Sequence, residues 1–128
     1  MSGGRVSIGE DHQDERVEPL RVGRAVRGDT VVVSATGQVD SHTADDLGEQ
    51  LAGAYAEEAG GPVVVDLTGV DFLASIGLSL LVEYHLLGVR RGRPLRVVAP
   101  ARNPLRALRA TMLDQTLELY RSVPEALA

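Results

Sequence analysis

Apolar residues recur along the chain with two different periods, and the two alternate. A period of two residues, or a short unbroken apolar run, predicts a strand. The predicted strands cover residues 20–27, 30–37, 63–67, 95–99 and 117–120. The first two flank Gly28 and Asp29, a tight connection that predicts a β-hairpin. The third opens with three valines and is apolar enough to lie inside a parallel sheet, buried on both faces.

Apolar positions three and four residues apart predict helices in the remaining stretches. The predicted helices begin near residues 43, 75, 103 and 124. At the first of them, Thr43 with Asp46 three residues on resembles a capping box. At the third, Asn103 followed by Pro104 is typical of an N-cap and the first helical residue.

The order of these elements predicts the fold class. A hairpin followed by alternating helices and strands indicates an α/β domain with a mixed, mostly parallel sheet and about four helices packed on it. A chain of 128 residues is most naturally one domain. Residues 1–18 are polar, acidic and without periodicity, so we expect a disordered acidic tail there and the folded domain in residues 19–128.

The helix that begins at Ser75 has two different faces. At about 100° per residue, one face should pack on the sheet; it comprises Gly77, Leu80, Leu81, Tyr84, Leu87 and Gly88. The opposite side continues the line of Ser75 through Ser79, Val82 and Leu86. This mixed stripe has the character of a partner-binding surface, and scattered exposed Leu and Val are equally ordinary, so the pattern alone leaves both interpretations open.

Composition excludes several classes of function. The net charge of -5 and the absence of Trp argue against nucleic-acid binding. The chain has no cysteine and no metal-ligand spacing of histidines, so we predict no metal and no cofactor. It has no lysine for a phosphate-binding P-loop, which excludes Walker-type nucleotide hydrolysis, and it has no Gly-x-Ser-x-Gly motif of a serine hydrolase. Neither a signal-peptide core nor an apolar run of about 20 residues is present, which favours a cytoplasmic protein without membrane contact.

All 13 basic residues are arginines, and seven of them lie between Arg90 and Arg109. Proline and apolar residues interrupt this stretch, which favours a solvated rim at the ends of helices and strands over a basic patch. The first predicted strand carries Arg21, Arg24 and Arg27, whose charges discourage pairing between the edges of two copies. We therefore expect a monomer.

The chemistry that remains possible centres on Ser75. Loops that leave the carboxyl ends of adjacent parallel strands meet at one edge of the sheet, so Asp40 is expected beside Ser75. A hydroxyl at the start of a helix lies near free N–H groups and the positive end of the helix dipole. There Ser75 can act as a plain N-cap or carry a phosphate, and Asp40 suits a turn or cap as well as a binding site.

Two stretches of the chain resemble the signature sequences of a known family. These are Gly37-Gln-Val-Asp40 and Val65-Asp-Leu-Thr-Gly-Val-Asp-Phe-Leu-Ala-Ser-Ile-Gly-Leu78. They are similar to the anti-sigma-factor antagonists, the small STAS domains of bacterial partner-switching systems. The resemblance runs from about Leu20 to Leu127, and the family's order of elements agrees with the predicted one.

The resemblance implies a function. It makes Ser75 the phosphoacceptor for a serine kinase that is also the anti-sigma factor, an ATPase of the histidine-kinase-like type. The unphosphorylated protein would sequester this kinase and free the sigma factor for transcription, and phosphorylation would break the complex. The expected partner-binding residues are Asp40, Ser41, Ala74, Ile76, Gly77, Ser79, Val82 and Leu86.

The chain departs from the family pattern next to the phosphosite. The family commonly has Asp-Ser-Ser-Gly, whereas this chain has Ala74-Ser75-Ile76-Gly77. This difference slightly favours an alternative, a STAS module that docks constitutively in a stress-sensing or lipid-transport complex. A small-ligand binder or weak nucleotide hydrolase using the same edge is a third possibility without a sequence feature in its favour.

Overall fold

The structure, a computed structural model, describes residues 20–128. The predicted acidic tail, residues 1–18, lies outside the described residues. The strands are β1 (Arg21–Arg27), β2 (Thr30–Val39), β3 (Val63–Leu73), β4 (Leu95–Val98) and β5 (Glu118–Tyr120). The helices are α1 (Ala44–Ala56), α2 (Ser75–Arg91), α3 (Arg102–Ala110) and α4 (Val123–Leu127), with a 3₁₀ turn at Leu113–Gln115.

The five strands form one sheet in the order β1-β2-β3-β4-β5. β1 pairs with β2 antiparallel, and the other neighbours are parallel. Parallel neighbours require a crossover, which α1, α2 and α3 provide. The predicted α/β class, the N-terminal hairpin, the mostly parallel sheet and the four helices are all confirmed.

Helices cover both faces of the sheet. The larger core joins the sheet to α1, α2 and Leu108 of α3. On the opposite face, α4 packs its Ala126 against Val32, Val64 and Val98 of the three central strands. The valines of β3 are therefore buried on both sides, as the unbroken apolar run predicted.

β3 is longer than predicted. The sequence pattern indicated a strand over residues 63–67 followed by a loop, but β3 continues to Leu73. Its second half, in which Val70 and Leu73 are buried and the other residues are exposed, stays paired with β2, through the partners Thr36 and Gly69 and then Val39 and Leu73. Backbone pairing holds this segment extended beyond the apolar run, and shifts of register accommodate it. The two strands therefore end side by side.

The predicted start of α3 is also wrong in detail. Ala101, not Asn103, is the N-cap, and the Asn103 side chain instead donates to the backbone O of Asp71, 3.2 Å away. Pro104 is the third helical residue. Its missing N–H costs nothing there, because the first four N–H groups of a helix have no intrahelical acceptor.

Arg93 contradicts the prediction that the arginines between residues 90 and 109 form a solvated rim. Its side chain is 8% exposed and donates to the O of Gly61, 2.8 Å away. It also donates to three carbonyls at the end of α1, those of Ala54, Tyr55 and Glu57. Carbonyls at a helix end lack intrahelical donors, so a buried guanidinium is a fitting partner for them.

Candidate functional site

The edge of the sheet brings together the two loops that the sequence placed there. Val39 and Leu73 are paired at the ends of β2 and β3, and the N–H of Ala74 donates to the O of Val39, 2.9 Å away. Asp40 and Ala74 therefore leave neighbouring strands at the same edge, and Ser75 follows as the first residue of α2.

Gly77 lets α2 begin directly against the strand ends. A Cβ atom at this position would lie 2.6 Å from Cδ1 of Leu73 and 2.7 Å from Cγ1 of Val39, closer than real Cβ contacts. Any side chain would push the start of α2 away from β2 and β3. Gly77 itself is buried, so its effect on the site is to hold the first turn of α2, with Ser75 and Ile76, close to the strand ends.

Asp40 holds the turn that leads into α1. Its Oδ1 accepts hydrogen bonds from the backbone N–H groups of His42 (2.9 Å) and Thr43 (3.2 Å). The predicted capping box at Thr43 is wrong, because its hydroxyl donates to the O of Gln38 (2.8 Å) and accepts from the N–H of Asp40 (3.0 Å). Asp40 therefore stabilises the turn before α1, and no side chain among the described residues caps the N–H groups of the helix itself. Ser41, in the same turn, is exposed.

The start of α2 has no such cap. Ala74 occupies the N-cap position without a side-chain hydrogen bond, which excludes Ser75 as the N-cap, and the first turn contains no acidic residue. The N–H groups of Gly77 and Leu78 donate to the O of Ala74, at 2.9 and 3.1 Å. Among residues 20–128, the N–H groups of Ser75 and Ile76 and the Ser75 hydroxyl have no hydrogen-bond partner. These donors are available at the positive end of the helix dipole.

A groove of about 350 Å³ runs along α2 from Ser75. It is lined by Ser75, Leu78, Ser79, Val82, Thr111 and Leu113. The predicted line of Ser75, Ser79 and Val82 is therefore one wall of a concave surface. Leu86 continues this line beyond the groove and is 50% exposed. On the other side of Ser75, Ile76 is 43% exposed.

Sequence reasoning missed the opposite wall of this groove. Thr111 and Leu113 lie directly after α3, and Met112 between them is the non-glycine residue with positive φ in the described part of the chain, at 62°. Met112 is 60% exposed at the rim. No local pattern places these residues opposite Ser75, because the contact depends on how α3 packs against the sheet.

Two further properties limit the chemistry available within residues 20–128. In this part of the chain no cluster of three or more histidine, aspartate or glutamate side chains is arranged to hold a metal ion. None of the four helices combines the length and the apolar character needed to cross a bilayer.

Comparisons with known proteins agree with this architecture. The family model of the STAS domain matches residues 23–126. A Mycobacterium tuberculosis protein named as an anti-anti-sigma factor is 30% identical over 102 residues, which are 78% of this chain and 68% of that protein. The crystal structure of an anti-sigma factor antagonist from Mycobacterium paratuberculosis superposes with a TM-score of 0.72 at 30% identity, covering 84% of this chain and 91% of that one.

The same fold occurs at lower identity in the Bacillus protein SpoIIAA, an anti-sigma factor antagonist with structures in two forms. The unphosphorylated form has a TM-score of 0.62 at 14% identity and covers 84% of this chain and 93% of that one. The phosphorylated form has a TM-score of 0.61 at 16% identity and covers 84% and 96%.

Proposed function

The chain belongs to the STAS-domain family, and we propose that it is an anti-sigma-factor antagonist whose binding is switched by phosphorylation of Ser75. One observation carries the proposal. The Ser75 hydroxyl is exposed, has no hydrogen-bond partner among residues 20–128, and lies at the open start of α2 beside an apolar groove. The names of the two mycobacterial relatives support the anti-sigma-factor part of the proposal.

In the unphosphorylated protein, we propose that the groove is the surface that binds the anti-sigma factor. Leu78, Val82 and Leu113 supply apolar surface, and Ser75 and Ser79 are small enough to leave the groove open. Burying apolar surface contributes roughly 25 cal/mol per Å². The proposed partner is a serine kinase of the histidine-kinase-like ATPase type, bound in the cytoplasm. The protein itself acts by binding, not by catalysis.

A phosphate on Ser75 would change this surface through its charge. Phosphoserine adds about -1.5 to -2 charges and three acceptor oxygens. The N–H groups of Ser75 and Ile76, which have no acceptor among residues 20–128, can donate hydrogen bonds to such an anion without refolding of α2. A partner's apolar side chain in the groove would then be buried against a charged group, which is costly. The same group therefore stabilises the start of the helix and weakens the complex.

A second candidate is constitutive docking without a switch. Ala74 and the half-exposed Ile76 favour it, because they make the edge more apolar than the family's Asp-Ser-Ser-Gly pattern. In that case a complex forms through the same groove, and a charge at Ser75 is never introduced in the cell.

The deciding experiment incubates the protein with ATP and each anti-sigma-type kinase of its own genome, followed by intact-mass measurement and phosphosite mapping. We expect one added phosphate, absent in Ser75→Ala and present in the matched control Ser34→Ala, an exposed serine outside the groove. A stable complex with such a kinase but no phosphate would replace the switch with constitutive docking. Neither phosphate nor complex would overturn the proposed function altogether.

A further inference from the structure

One face of α3 is strongly basic. Arg102, Arg106 and Arg109 follow one another at i, i+4 and i+7, all are exposed, and with Leu105 and Ala110 they line a depression of about 480 Å³. The ion pairs between arginine and carboxylate side chains among residues 20–128 lie elsewhere and join Arg24 to Glu57 and Arg96 to Glu118. We call these three arginines the arginine face.

Two further features make the arginine face suitable for an anion. The first turn of α3 contains no acidic residue, and its N-cap Ala101 makes no side-chain hydrogen bond, so the helix dipole adds to the positive charge there. Asp114 shares a depression with Arg109 at the far end but forms no ion pair with it. Guanidinium groups bind carboxylates with paired hydrogen bonds, which favours a carboxylate-rich partner over a single ion.

We propose that the acidic segment of the same chain, residues 10–18, docks on the arginine face of α3. This segment contains five carboxylates and a single arginine. The carboxylates are Glu10, Asp11, Asp14, Glu15 and Glu18. The opposite signs of the two regions, within a protein of net charge -5, give the pairing its driving force.

The segment is attached at a place from which it reaches α3. Arg21, at the start of β1, pairs with Thr36 of β2, and Thr36 pairs with Gly69 of β3. The start of β1 is therefore two strand spacings, about 10 Å, from β3. The Asn103 side chain ties the first turn of α3 to the end of β3.

The spacing of the carboxylates fits that of the arginines. A residue spans at most about 3.3–3.6 Å of extended chain, so Glu15 can lie up to about 17 Å from Leu20, and Glu10 about twice as far. Arg102 and Arg109 are about 10 Å apart along the helix. The carboxylates therefore span the distances needed to reach every arginine of the face.

Docking of this kind is tethered and electrostatic. Each exposed ion pair contributes little by itself, but a short tether gives an effective concentration on the order of millimolar. Salt weakens it, because the screening length falls from about 10 Å at 0.1 M to about 3 Å at 1 M. We therefore expect a partly populated, salt-sensitive contact.

The docked segment would lie beside the groove at Ser75. Thr111 and Leu113, which form one wall of that groove, follow directly after α3. If the groove binds the anti-sigma factor, the docked segment competes with that partner. This consequence rests on the proposed function. An antagonist whose segment docks in about two thirds of the molecules would bind its partner about threefold more weakly than one without it.

A nitroxide label on the Ser7→Cys variant of the 128-residue chain tests the docking, because this chain has no other cysteine. We expect paramagnetic broadening of the amide signals of α3 and of Thr111 and Leu113. In the double variant Arg106→Gln/Arg109→Gln this broadening should fall by at least half. In the wild-type sequence, 1 M salt should reduce it to a similar extent. The matched control Arg27→Gln/Arg90→Gln removes two exposed arginines elsewhere and should keep it. Equal broadening in both double variants, or none at α3, would overturn the proposal.

Two controls separate the alternatives. The first control mixes two samples: spin-labelled protein without ¹⁵N, and ¹⁵N-labelled protein without a spin label. Broadening of the α3 signals in this mixture would mean that the segment of a second copy occupies the arginine face, and the intramolecular proposal would fail. For the partner, Asp11→Asn/Asp14→Asn/Glu15→Gln should raise affinity about threefold. If the wild-type protein binds no anti-sigma kinase, the proposed function fails while the docking result stands.

Discussion

The two ends of α2 differ in how completely their polar groups are satisfied. At its C-terminal end, Gly92 adopts a left-handed conformation with φ of 67°, and the N–H of Arg93 donates to the O of Gly88, 2.9 Å away. The Arg93 side chain binds four further carbonyls and stacks on the Tyr55 ring, 5.2 Å from its centroid. At the N-terminal end, Ala74 caps nothing and the Ser75 hydroxyl is free among the described residues. Among the described residues, α2 is therefore well satisfied at its C-terminal end and has unpaired donors at its N-terminal end.

Arg93→Leu removes the side chain that satisfies the C-terminal end of α2, and it should lower the free energy of unfolding more than any other substitution considered. The four carbonyls lose the guanidinium as a donor, and a hydrogen bond to a charged group contributes a net of roughly 1.5–3 kcal/mol when its geometry is good. Only the bond to Gly61 is short, at 2.8 Å, and the other three are 3.3–3.4 Å long. We expect a loss of about 3 kcal/mol in the free energy of unfolding, measured by urea denaturation. Arg90→Leu, at an exposed position of the same helix end, should change it by no more than about 0.5 kcal/mol. Equal effects of the two substitutions would mean that Arg93 has no special structural role.

Ser75→Asp should affect binding instead of stability. A negative charge at the groove is expected to weaken the complex with the anti-sigma factor about 150-fold, a coupling of about 3 kcal/mol. The same charge at the start of α2 should leave the urea midpoint unchanged or raise stability by about 0.3–1 kcal/mol. Thr116→Asp adds a charge at an exposed position after the 3₁₀ turn and should leave affinity intact. Retained affinity in Ser75→Asp would place the binding surface elsewhere.

Local features predicted much of this molecule from the sequence. The three valines of β3, the Gly28-Asp29 turn and the position of Ser75 at the start of a helix all follow from period, turn chemistry and apolar runs. Where prediction failed, the cause was non-local. The second half of β3, residues 68–73, is held by pairing with β2, and Arg93 is buried because α1 ends above it.

The site shows the same division. The line of Ser75, Ser79 and Val82 follows from helical period, but the facing wall of Thr111 and Leu113 depends on the packing of α3. Thr43 was predicted as a cap from its spacing to Asp46. The Thr43 hydroxyl does not cap α1, because the turn before the helix places it against the O of Gln38 and the N–H of Asp40.

Alkaline pH should lower the stability of the domain through Tyr55, which donates to the O of Arg93 at the C-terminal end of α2. Burial raises the pKa of Tyr55 to about 12 and outweighs the opposing effect of Arg93 and Arg91. Below pH 10 the phenol is neutral in both folded and unfolded chains, so the stability that comes from burying the neutral Tyr55 side chain is fully present. Between pH 10 and about 12 the unfolded chain releases the proton first, and stability should fall by up to about 1.4 kcal/mol per pH unit.

The check is urea denaturation between pH 8 and 11.5 for the wild type and Tyr55→Phe. The variant also loses the hydrogen bond from the Tyr55 hydroxyl to the O of Arg93, which lowers its stability at neutral pH by about 1 kcal/mol. Its stability should nevertheless fall less steeply above pH 10 than that of the wild type. Burial also raises the pKa of Tyr84, so a smaller slope is expected to persist. An unchanged slope in the variant would assign the alkaline loss to other groups.

The smallest expected effect tests why the start of α2 is open. Ala74→Ser supplies the missing side-chain cap and should stabilise the domain by about 1 kcal/mol. Ala101 is the N-cap of α3 and likewise makes no side-chain hydrogen bond, so Ala101→Ser is a matched control with a similar gain. A serine cap at residue 74 would take up a free N–H group at the start of α2, which a phosphate on Ser75 would otherwise engage. Phosphorylation should therefore add less stability to Ala74→Ser than to the wild type, and as much to Ala101→Ser as to the wild type. If both variants respond to phosphorylation like the wild type, the open start of α2 does not contribute to holding the phosphate, and Ala74 is only a missing cap.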